Sequence, residues 1–404
     1  MEKTGIKWKK RGQVIGLFSL LSVIAFAQQE QAHRKMTVSG YIQGQYQYAE
    51  KGGVLQVGAP NEHPGKAFDR IGIRRGRLKV AYEEGIASAV FQLDATEKGV
   101  GIKDAYLLVS DPWLKRIALK AGVFGRPFGQ EIAYSSSQRE SPERATVFRT
   151  LFPDERDLGV TLRWKGGADS PLSFLRLEAG WFAGNGIKQE TDSRKDFIGQ
   201  LGVDKGWGRM FHLSVGVSYY NGSVYQGSER VYTMSGGRFV LNDHPDNKGR
   251  FAKREYLGFD VRFTLDSPLG KSQLRGEYLT GKQPGSETGS KSPNASQLPS
   301  GDVYIRNFRG GYLMLVQGIG KSPFSAVLKY DWYDPNTGTN TAGATTAGDV
   351  ARSAFGAGAV WQAHKQVRVQ AYYEWNWNEK TAHIPAFSED IRDNLFALRL
   401  QYAF

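Results

Sequence analysis

The 404-residue chain contains no cysteine, which excludes a disulfide-stapled scaffold and metal sites built on thiolates. It also lacks a long apolar run: after Ala27, no stretch of about 20 residues is apolar enough for a membrane-spanning helix. No convincing amphipathic helix pattern appears there either. A membrane β-barrel is compatible with both absences, because each strand needs only about 10 residues with alternate positions apolar.

The first residues have the pattern of a signal peptide for export. The start "MEKTGIKWKKRGQ" holds five basic residues, and the 14 residues from Val14 to Ala27 are uncharged. Ala25 and Ala27 supply the small side chains that a signal peptidase needs, and the apolar stretch is too short to span a bilayer. We predict a signal peptide over 1–27 and a single domain over 28–404; a buried helix would not have this basic start. The formal charge of +13 includes five basic groups and one acid from this segment, so the mature chain carries +9.

The rest of the chain alternates with a period of two residues. In "FHLSVGVSYY", apolar side chains at Phe211, Leu213, Val215 and Val217 alternate with polar or small ones. The last residues, "FALRLQYAF", alternate in the same way up to Phe404. Such a period is typical of β-strands with one apolar face, not of helices.

About sixteen segments share this alternation. They span residues 36–49, 68–83, 86–97, 102–110, 115–124, 157–164, 171–183, 196–204, 210–220, 254–265, 270–281, 304–317, 324–333, 351–363, 365–377 and 390–404. The connections alternate between short and long. The long ones are 50–67, 125–156, 184–195, 221–253, 282–303, 334–350 and 378–389. Short periplasmic turns and long extracellular loops are typical of a transmembrane barrel. The sequence therefore predicts an all-β fold, a transmembrane antiparallel β-barrel of about 16 strands.

Such a barrel has to be closed. In hydrocarbon each unpaired backbone group costs several kcal/mol, so we expect the last strand to pair with the first, "VSGYIQGQYQY". Lipid then covers the apolar face of the last strand. Aromatic residues at strand ends suit the two membrane interfaces. They are Trp181, Tyr219, Trp332, Tyr333, Trp375 and Trp377. The alternative is a secreted β-sandwich, in which other strands would cover these faces.

Three stretches resemble the phosphate-selective porins of the O/P type. They are "FDRIGIRRGRLKVAYEEG" with "FQLDATEKGVGIKDAYLLV", then "LKAGVFGRPFGQEIAYSSSQRESPERATVFRTLFPDERDLGV", and "LEAGWFAGNG" followed by "KDFIGQLGV". The similarity is dense over about 68–204 and thinner afterwards, although "YDWYDPN" and the terminal aromatic also fit. The resemblance implies a homotrimeric porin of the Gram-negative outer membrane with 16 strands. It also implies a third loop folded into the lumen and an anion path lined by basic side chains.

The second predicted strand has the strongest local charge bias. From Lys66 to Tyr82 there are six basic residues and one acid. If Leu78, Val80 and Tyr82 face lipid, then Arg75, Arg77 and Lys79 face the lumen, about 7 Å apart. Ile71 and Ile73 break this parity, which indicates a bulge or an extramembrane start. From the alternation of inward and outward side chains along each strand, we predict an anion path that includes Arg75, Arg77, Lys79, Arg116, Lys120 and Arg163. In all, twelve basic and seven acidic residues are expected to face the lumen.

Segment 125–156 is the candidate constriction loop. Its predicted basic residues are Arg126, Arg139, Arg144, Arg149 and Arg156. Five acids accompany them, so the segment is neutral and not a plain basic funnel. These acids can instead anchor the loop to the basic wall. Paired N–H donors make arginine suitable for phosphate oxygens.

Other functions find little support in the sequence. The six histidines are scattered, and no HExxH, nucleophile elbow or P-loop occurs. His212 and Ser214 share a strand face, but a lipase pair would have to point outward. "DHPDN" at 243–247 suits an ordinary loop better than a calcium site. We therefore expect no enzyme activity, cofactor, metal or nucleic-acid partner, and a passive porin for small anionic solutes surrounded by outer-membrane lipid and lipopolysaccharide. The alternatives are a surface-interaction barrel with an occluded lumen and a membrane-embedded hydrolase.

Overall fold

A computed structural model describes residues 34–208, 210–339 and 343–404. The expected signal peptide, 1–27, lies outside the described residues. Within them the chain forms eighteen strands and one α-helix. The elements are β1 Lys35–Ala49, β2 Phe68–Glu84, β3 Ala87–Thr96, β4 Gly99–Ser110, β5 Ile117–Gly125, α1 Thr146–Leu151, β6 Arg156–Lys165, β7 Leu175–Phe182, β8 Asp196–Trp207, β9 Phe211–Tyr225, β10 Arg230–Ser235, β11 Arg238–Asp243, β12 Phe251–Ser267, β13 Gly270–Gly285, β14 Val303–Gly318, β15 Phe324–Asp334, β16 Arg352–Trp361, β17 Val367–Asn378 and β18 Leu395–Ala403. Three short 3₁₀ turns lie at Pro245–Asn247, Ala347–Asp349 and Pro385–Phe387.

Sixteen of the described strands close into an antiparallel barrel, while β10 and β11 form a separate hairpin. β1 pairs with β2 on one side and with β18 on the other, with Tyr41 opposite Ala403. The seam ends in two backbone hydrogen bonds of 3.0 Å between Gly40 and Phe404. The predicted strand number and the predicted pairing of the last strand with the first are both confirmed.

The two ends of the barrel differ. At one end, the short-turn end, neighbouring strands are joined by tight turns such as Gly85–Ile86 between β2 and β3. At the other, the long-loop end, the connections include 50–67, 126–155 and 379–394. One connection at the long-loop end is short, because only residues 97–98 separate β3 from β4.

The outer face of the barrel is apolar and has no second protein layer over it in the described chain. On β18, Leu398, Leu400 and Phe404 are 42%, 57% and 52% exposed. Similar exposed apolar side chains occur on every barrel strand from β1 to β18. This is a transmembrane barrel, and the β-sandwich alternative is wrong because nothing in the fold buries these faces. Among the expected interfacial aromatics Tyr333 is an exception: it points inward and is only 4% exposed.

A bulge in β2 resolves the parity conflict seen in the sequence. Gln43 of β1 pairs with Arg75, and the next residue, Gly44, pairs with Ile73, so Arg74 is the extra residue. The bulge turns Ile71 and Ile73 towards lipid while Arg75 remains on the inner face. A second register shift, between β3 and β4, makes Lys103 an extra residue next to Asp104. Both bulges therefore bring one more basic side chain to the lumen.

The sequence predicts a loop over 221–253, whereas the structure forms the hairpin β10–β11 within it. Gly236 and Gly237 form its turn with φ of 57° and 80°, the left-handed geometry of a two-residue hairpin turn. β10 pairs in parallel with the start of β14, where Tyr232 stacks on Tyr304 with ring centroids 4.2 Å apart. The two adjacent glycines between alternating runs were the available signal.

Candidate functional site

The loop between β5 and β6, residues 126–155, enters the lumen and is called the inner loop below. Near its start, the Gly129 amide donates to Ser218 of β9 at 2.9 Å. Further along, Ser136 is hydrogen-bonded with Tyr41 of β1 at 2.6 Å, and the Arg139 carbonyl accepts from Gln370 of β17 at 2.8 Å. These partners lie on well-separated parts of the wall, so the loop crosses the barrel. The predicted infolding of the third loop is confirmed.

Apolar packing inside the barrel holds the inner loop in place. Its helix α1 and the residues around it bury Phe128, Phe148 and Phe152, each about 1% exposed. Phe152 contacts the wall residue Tyr256, with ring centroids 5.6 Å apart. Fully burying one such ring contributes about 1.5–3 kcal/mol. The lumen therefore contains a hydrophobic core, which alternation along single strands did not reveal.

Glu143 of the inner loop is the centre of one ion cluster. Its carboxylate lies 2.7 Å from Arg74, 3.4 Å from Arg75 and 3.2 Å from Arg399. Burial alone would raise the pKa of Glu143, but the charges of Arg74 and Arg75 outweigh it and hold that pKa well below its usual range. Glu143 thus stays ionised and links the loop to the seam of the barrel.

Glu155, at the end of the inner loop, is the centre of a second cluster. It contacts Lys103 at 3.0 Å, Arg156 at 2.7 Å and also Arg144. Burial would raise the pKa of Glu155, yet Arg144 and Lys103 lower it to well below its usual range. Asp154 and Glu155 both have positive φ, 59° and 64°, a strained pair for residues other than glycine. The surrounding cations stabilise the strained backbone that presents this carboxylate.

Four of the five predicted constriction arginines are paired with acids. Arg126 contacts Asp157 at 3.1 Å, and both side chains are almost fully buried. Arg139 lies 3.7 Å from Glu131 and is fully buried. Arg144 and Arg156 belong to the Glu155 cluster, and Arg156 also contacts Asp104 at 3.1 Å. Arg149, on α1, is exposed. Acids of both the loop and the wall therefore neutralise the four paired arginines.

The six predicted path residues occupy different environments. Arg75 and Arg77 are 4% and 6% exposed and are paired with Glu143 and Asp94. Lys79 is half-buried and forms no salt bridge with any described residue. The other three are also on the inner side or at its rim. Arg116 is exposed in the turn before β5, Lys120 lies over the rings of Tyr106 and Phe124 at 4.5 and 4.1 Å, and Arg163 contacts Glu178 at 3.1 Å.

A cavity of about 350 Å³ lies between the inner loop and the β1–β4 wall, on the short-turn side. Basic side chains of Arg77, Lys79, Arg144 and Arg156 line it, together with the acid Asp104. Hydroxyl groups of Ser135, Ser136 and Ser137 line it as well. The lining thus combines basic side chains with serines, and the Ser136 hydroxyl accepts a hydrogen bond from Arg77 at 3.0 Å.

Two basic residues of this region were not among the predicted site residues, namely Arg74 and Lys103. Each is the extra residue of a bulge. Counting alternate residues along the strand therefore places its side chain on the lipid-facing side instead of in the lumen. The break in alternation at Ile71 and Ile73 was the only signal for Arg74. A conflict of the same kind lies around Lys103, between Ile102 and Asp104.

At the long-loop end, loop 286–302 folds over α1. The Ser292 amide donates to the Thr150 carbonyl at 3.0 Å, and Asn294 donates to Asp154 at 2.5 Å. The β10–β11 hairpin also contacts the inner side of the barrel, where the Phe239 ring packs on the Arg306 guanidinium. This guanidinium is buried and contacts Asp349 at 2.7 Å. This side of the mouth is filled by protein.

A closed ring of sixteen antiparallel strands with an infolded third loop defines the porin class of fold. Solved structures with a similar fold include the following three. OmpT of Vibrio cholerae with loop L8 deleted has a TM-score of 0.56 at 11% identity, over 92% of this chain and 99% of that one. The channel DcaP of Acinetobacter baumannii has a TM-score of 0.55 at 14% identity, over 92% and 97%. OmpF of Salmonella typhi, in complex with daunomycin, has a TM-score of 0.53 at 12% identity, over 92% and 98%.

At these identities the likeness establishes the fold alone. No protein-family model matches the sequence, and no curated protein matches it significantly. Across the described ranges, no helix is long and apolar enough to span a membrane. In that same part of the chain, no three His, Asp or Glu side chains are grouped so as to hold a metal ion.

Proposed function

We propose that this chain is an outer-membrane porin through which small anionic solutes diffuse passively. One observation carries the proposal: Lys79 lines the cavity beside the β1–β4 wall and forms no salt bridge with any described residue, next to the paired Arg77, Arg144 and Arg156. Basic groups spaced along a pore lower the entry barrier for anions without trapping them. The porin fold supports the location in the outer membrane of a Gram-negative bacterium, with lipid and lipopolysaccharide around the barrel.

Planar-bilayer recording of the purified protein tests this function. We expect stepwise conductance and, under a KCl gradient, a reversal potential of the sign given by chloride preference. A cation-selective reversal potential would refute the anion path. Inorganic phosphate added to the chloride solution should reduce the chloride current if the channel is of the phosphate-selective O/P type. The same current without and with phosphate would reject that subtype.

The occluded barrel is the second candidate, and a specific observation favours it. Loop 286–302, the hairpin and the apolar cluster around α1 fill a large part of the lumen at the long-loop end. The absence of any conductance from correctly folded protein would establish this alternative. The long loops would then be the functional part.

An enzyme is the weakest candidate. The Ser214 hydroxyl is fully buried and accepts from Arg176 at 3.5 Å, while His212 is paired with Asp204 at 2.8 Å. The serine and the histidine therefore contact different partners. We propose no catalytic activity, no cofactor and no metal, and esterase assays of the purified protein should give the same rate as buffer.

We also propose a homotrimer, whose interface includes β1–β5. Those strands themselves contain no tryptophan, and Trp113 lies in the turn between β4 and β5, whereas the exposed Trp181, Trp361 and Trp377 lie within strands from β7 onwards. Tryptophan concentrates where a barrel meets the lipid interface. One similar structure, of V. cholerae OmpT at a TM-score of 0.55, is described as a trimer form. The mass of the protein–detergent complex, corrected for detergent, checks the oligomeric state.

A further inference from the structure

Two pairs of like charges face each other across β12 and β13 inside the barrel. Arg262 lies directly opposite Arg275, and two residues further along Asp260 lies opposite Glu277. Like charges at directly opposite positions destabilise a sheet. Exchanging Arg275 and Glu277 would have placed opposite charges together at both levels. Both pairs therefore call for a separate explanation.

The acidic pair is explained by the inner loop. Glu277 accepts hydrogen bonds from the amides of Gln130 at 3.1 Å and Glu131 at 2.5 Å, and from the Tyr312 hydroxyl at 2.9 Å. Asp260 accepts from the side chain of Gln130 as well. These donors compensate the two carboxylates. The pair thus anchors the start of the loop.

The arginine pair is compensated unevenly, because Arg275 has a close acid whereas Arg262 has only a distant one. Arg262 lies 3.8 Å from Asp204 and remains 28% exposed. Arg176, which converges on the same space from β7, reaches the Ser214 hydroxyl at 3.5 Å and forms no salt bridge in the described part of the chain. Only Arg275 has a close acid, Glu140, and its guanidinium also stacks on Tyr134 at 4.2 Å.

The three arginines line a cavity of about 140 Å³ on the far side of the inner loop from β2. Tyr134 and Tyr312 form aromatic walls of this cavity. Glu131 also lines it, but its carboxylate is directed to Arg139, 3.7 Å away. The volume is close to that of an apolar cavity, about 150 Å³, that holds one benzene molecule.

We propose that this cavity is a binding site for a small aromatic carboxylate. Guanidinium groups of Arg262 and Arg176 donate paired hydrogen bonds to the carboxylate, and the planar ring packs against the tyrosines. The site is separate from the cavity beside β2. Binding at this site requires the folded barrel and its inner loop but no conduction through the lumen. The binding proposal can therefore be tested independently of the proposed pore.

Isothermal titration calorimetry of the full protein in detergent, with sodium benzoate at neutral pH, tests the site. We expect saturable binding that weakens at least tenfold in Arg262→Gln and in Arg176→Gln. Benzamide, a neutral molecule of the same shape, should bind at least tenfold more weakly than benzoate. Arg309→Gln is the matched control, because it removes the same charge from the outer face, where Arg309 is 59% exposed; its affinity should equal that of the unchanged protein.

Several results would overturn the assignment. Benzoate heats that do not saturate, or equal affinities in Arg262→Gln and the unchanged protein, would remove the site. Inorganic phosphate that displaces benzoate at equal concentration would show that the tyrosines contribute nothing. If a glutamine variant fails to fold, Arg262→Lys keeps the charge without the paired donors and should still weaken binding. Because calorimetry needs no open channel, failure here is distinguishable from failure of the porin function.

Discussion

Single side chains in the lumen differ in how freely they meet a solute. Arg75 and Arg77 are buried and paired, whereas Lys79 on the same strand face is half-buried and lines the cavity of about 350 Å³. A basic residue already neutralised by an acid contributes little to the field in the pore. Charge alone therefore does not identify the residues that an anion meets.

Lys79→Gln should accordingly reduce anion preference more than Arg75→Gln does. Removing Lys79 removes an unpaired charge at the cavity, whereas removing Arg75 mainly weakens a contact to Glu143. Reversal potentials under a KCl gradient measure both effects. Arg309→Gln, on the outer face, serves as the control and should leave the potential unchanged. A larger shift for Arg75→Gln than for Lys79→Gln would contradict this ranking.

Glu143→Gln should change two properties, the anion preference of the pore and the stability of the fold. It leaves Arg74, Arg75 and Arg399 without their shared acid, so anion preference should rise. Removing one partner of a buried ion cluster also costs about 3–5 kcal/mol of stability. Bilayer recording checks the first effect, and chemical denaturation in detergent, followed by circular dichroism, checks the second. A variant as stable as the parent would show that Glu143 does not hold the loop.

At the scale of elements, the inner loop is positioned by groups at both of its ends. Near its start, Gly129 has φ of 63°, and a Cβ there would collide with the Glu277 carboxylate, so only glycine fits. At its end, the strained Asp154–Glu155 pair directs Glu155 towards three cations. Hydrogen bonds and ion pairs thus secure the loop while α1 packs on the aromatic wall.

The docking of this loop should depend on pH in one direction. The folded-state pKa values of Glu143 and Glu155 lie well below the ordinary value of 4.5. Their stabilisation is therefore complete above about pH 5 and is lost as the pH falls below the ordinary value towards the folded-state pKa values. Thermal unfolding in detergent should show a Tm that decreases as the pH falls below about 5. In a Glu143→Gln, Glu155→Gln double variant this acid-induced decrease should be smaller; an equal decrease would assign it to other acids.

At the scale of the whole molecule, the lumen is divided. Loop 286–302 and α1 fill one side of the long-loop end, while the cavity lined by Lys79 lies between the inner loop and the β1–β4 wall. The proposed anion path therefore runs off-centre, along β1–β4. The size limit for solutes then follows from the space between one wall and the inner loop, not from the barrel diameter.

A disulfide between Thr150→Cys and Ser292→Cys tests this division. The Ser292 amide lies 3.0 Å from the Thr150 carbonyl, so the two backbones are adjacent, and the chain has no other cysteine. We expect the oxidised and reduced forms of this variant to conduct equally, because the path lies elsewhere. Single-channel currents before and after reduction provide the comparison. A conductance that falls on oxidation would place the path between loop 286–302 and α1.

Much of the architecture could be predicted from local pattern. Period-two alternation identified all sixteen barrel strands and the pairing of the last with the first, because a lipid-facing wall imposes that period on every strand. The parity break at Ile71 and Ile73 even indicated the bulge in β2. The hairpin at Gly236–Gly237 was missed because its short strands lie within a polar loop outside the membrane.

Local alternation was thus enough to show which face of most strands meets lipid, since that depends on neighbouring residues along the chain; it failed at the extra residues of the two bulges. Which charges remain available in the lumen depends instead on contacts that form in the folded ring. Glu143 meets Arg399 across 256 positions of sequence, and Arg262 meets Arg275 through strand register. Such contacts form when the barrel closes and the inner loop crosses the lumen, because these two steps bring side chains that are distant in sequence next to each other.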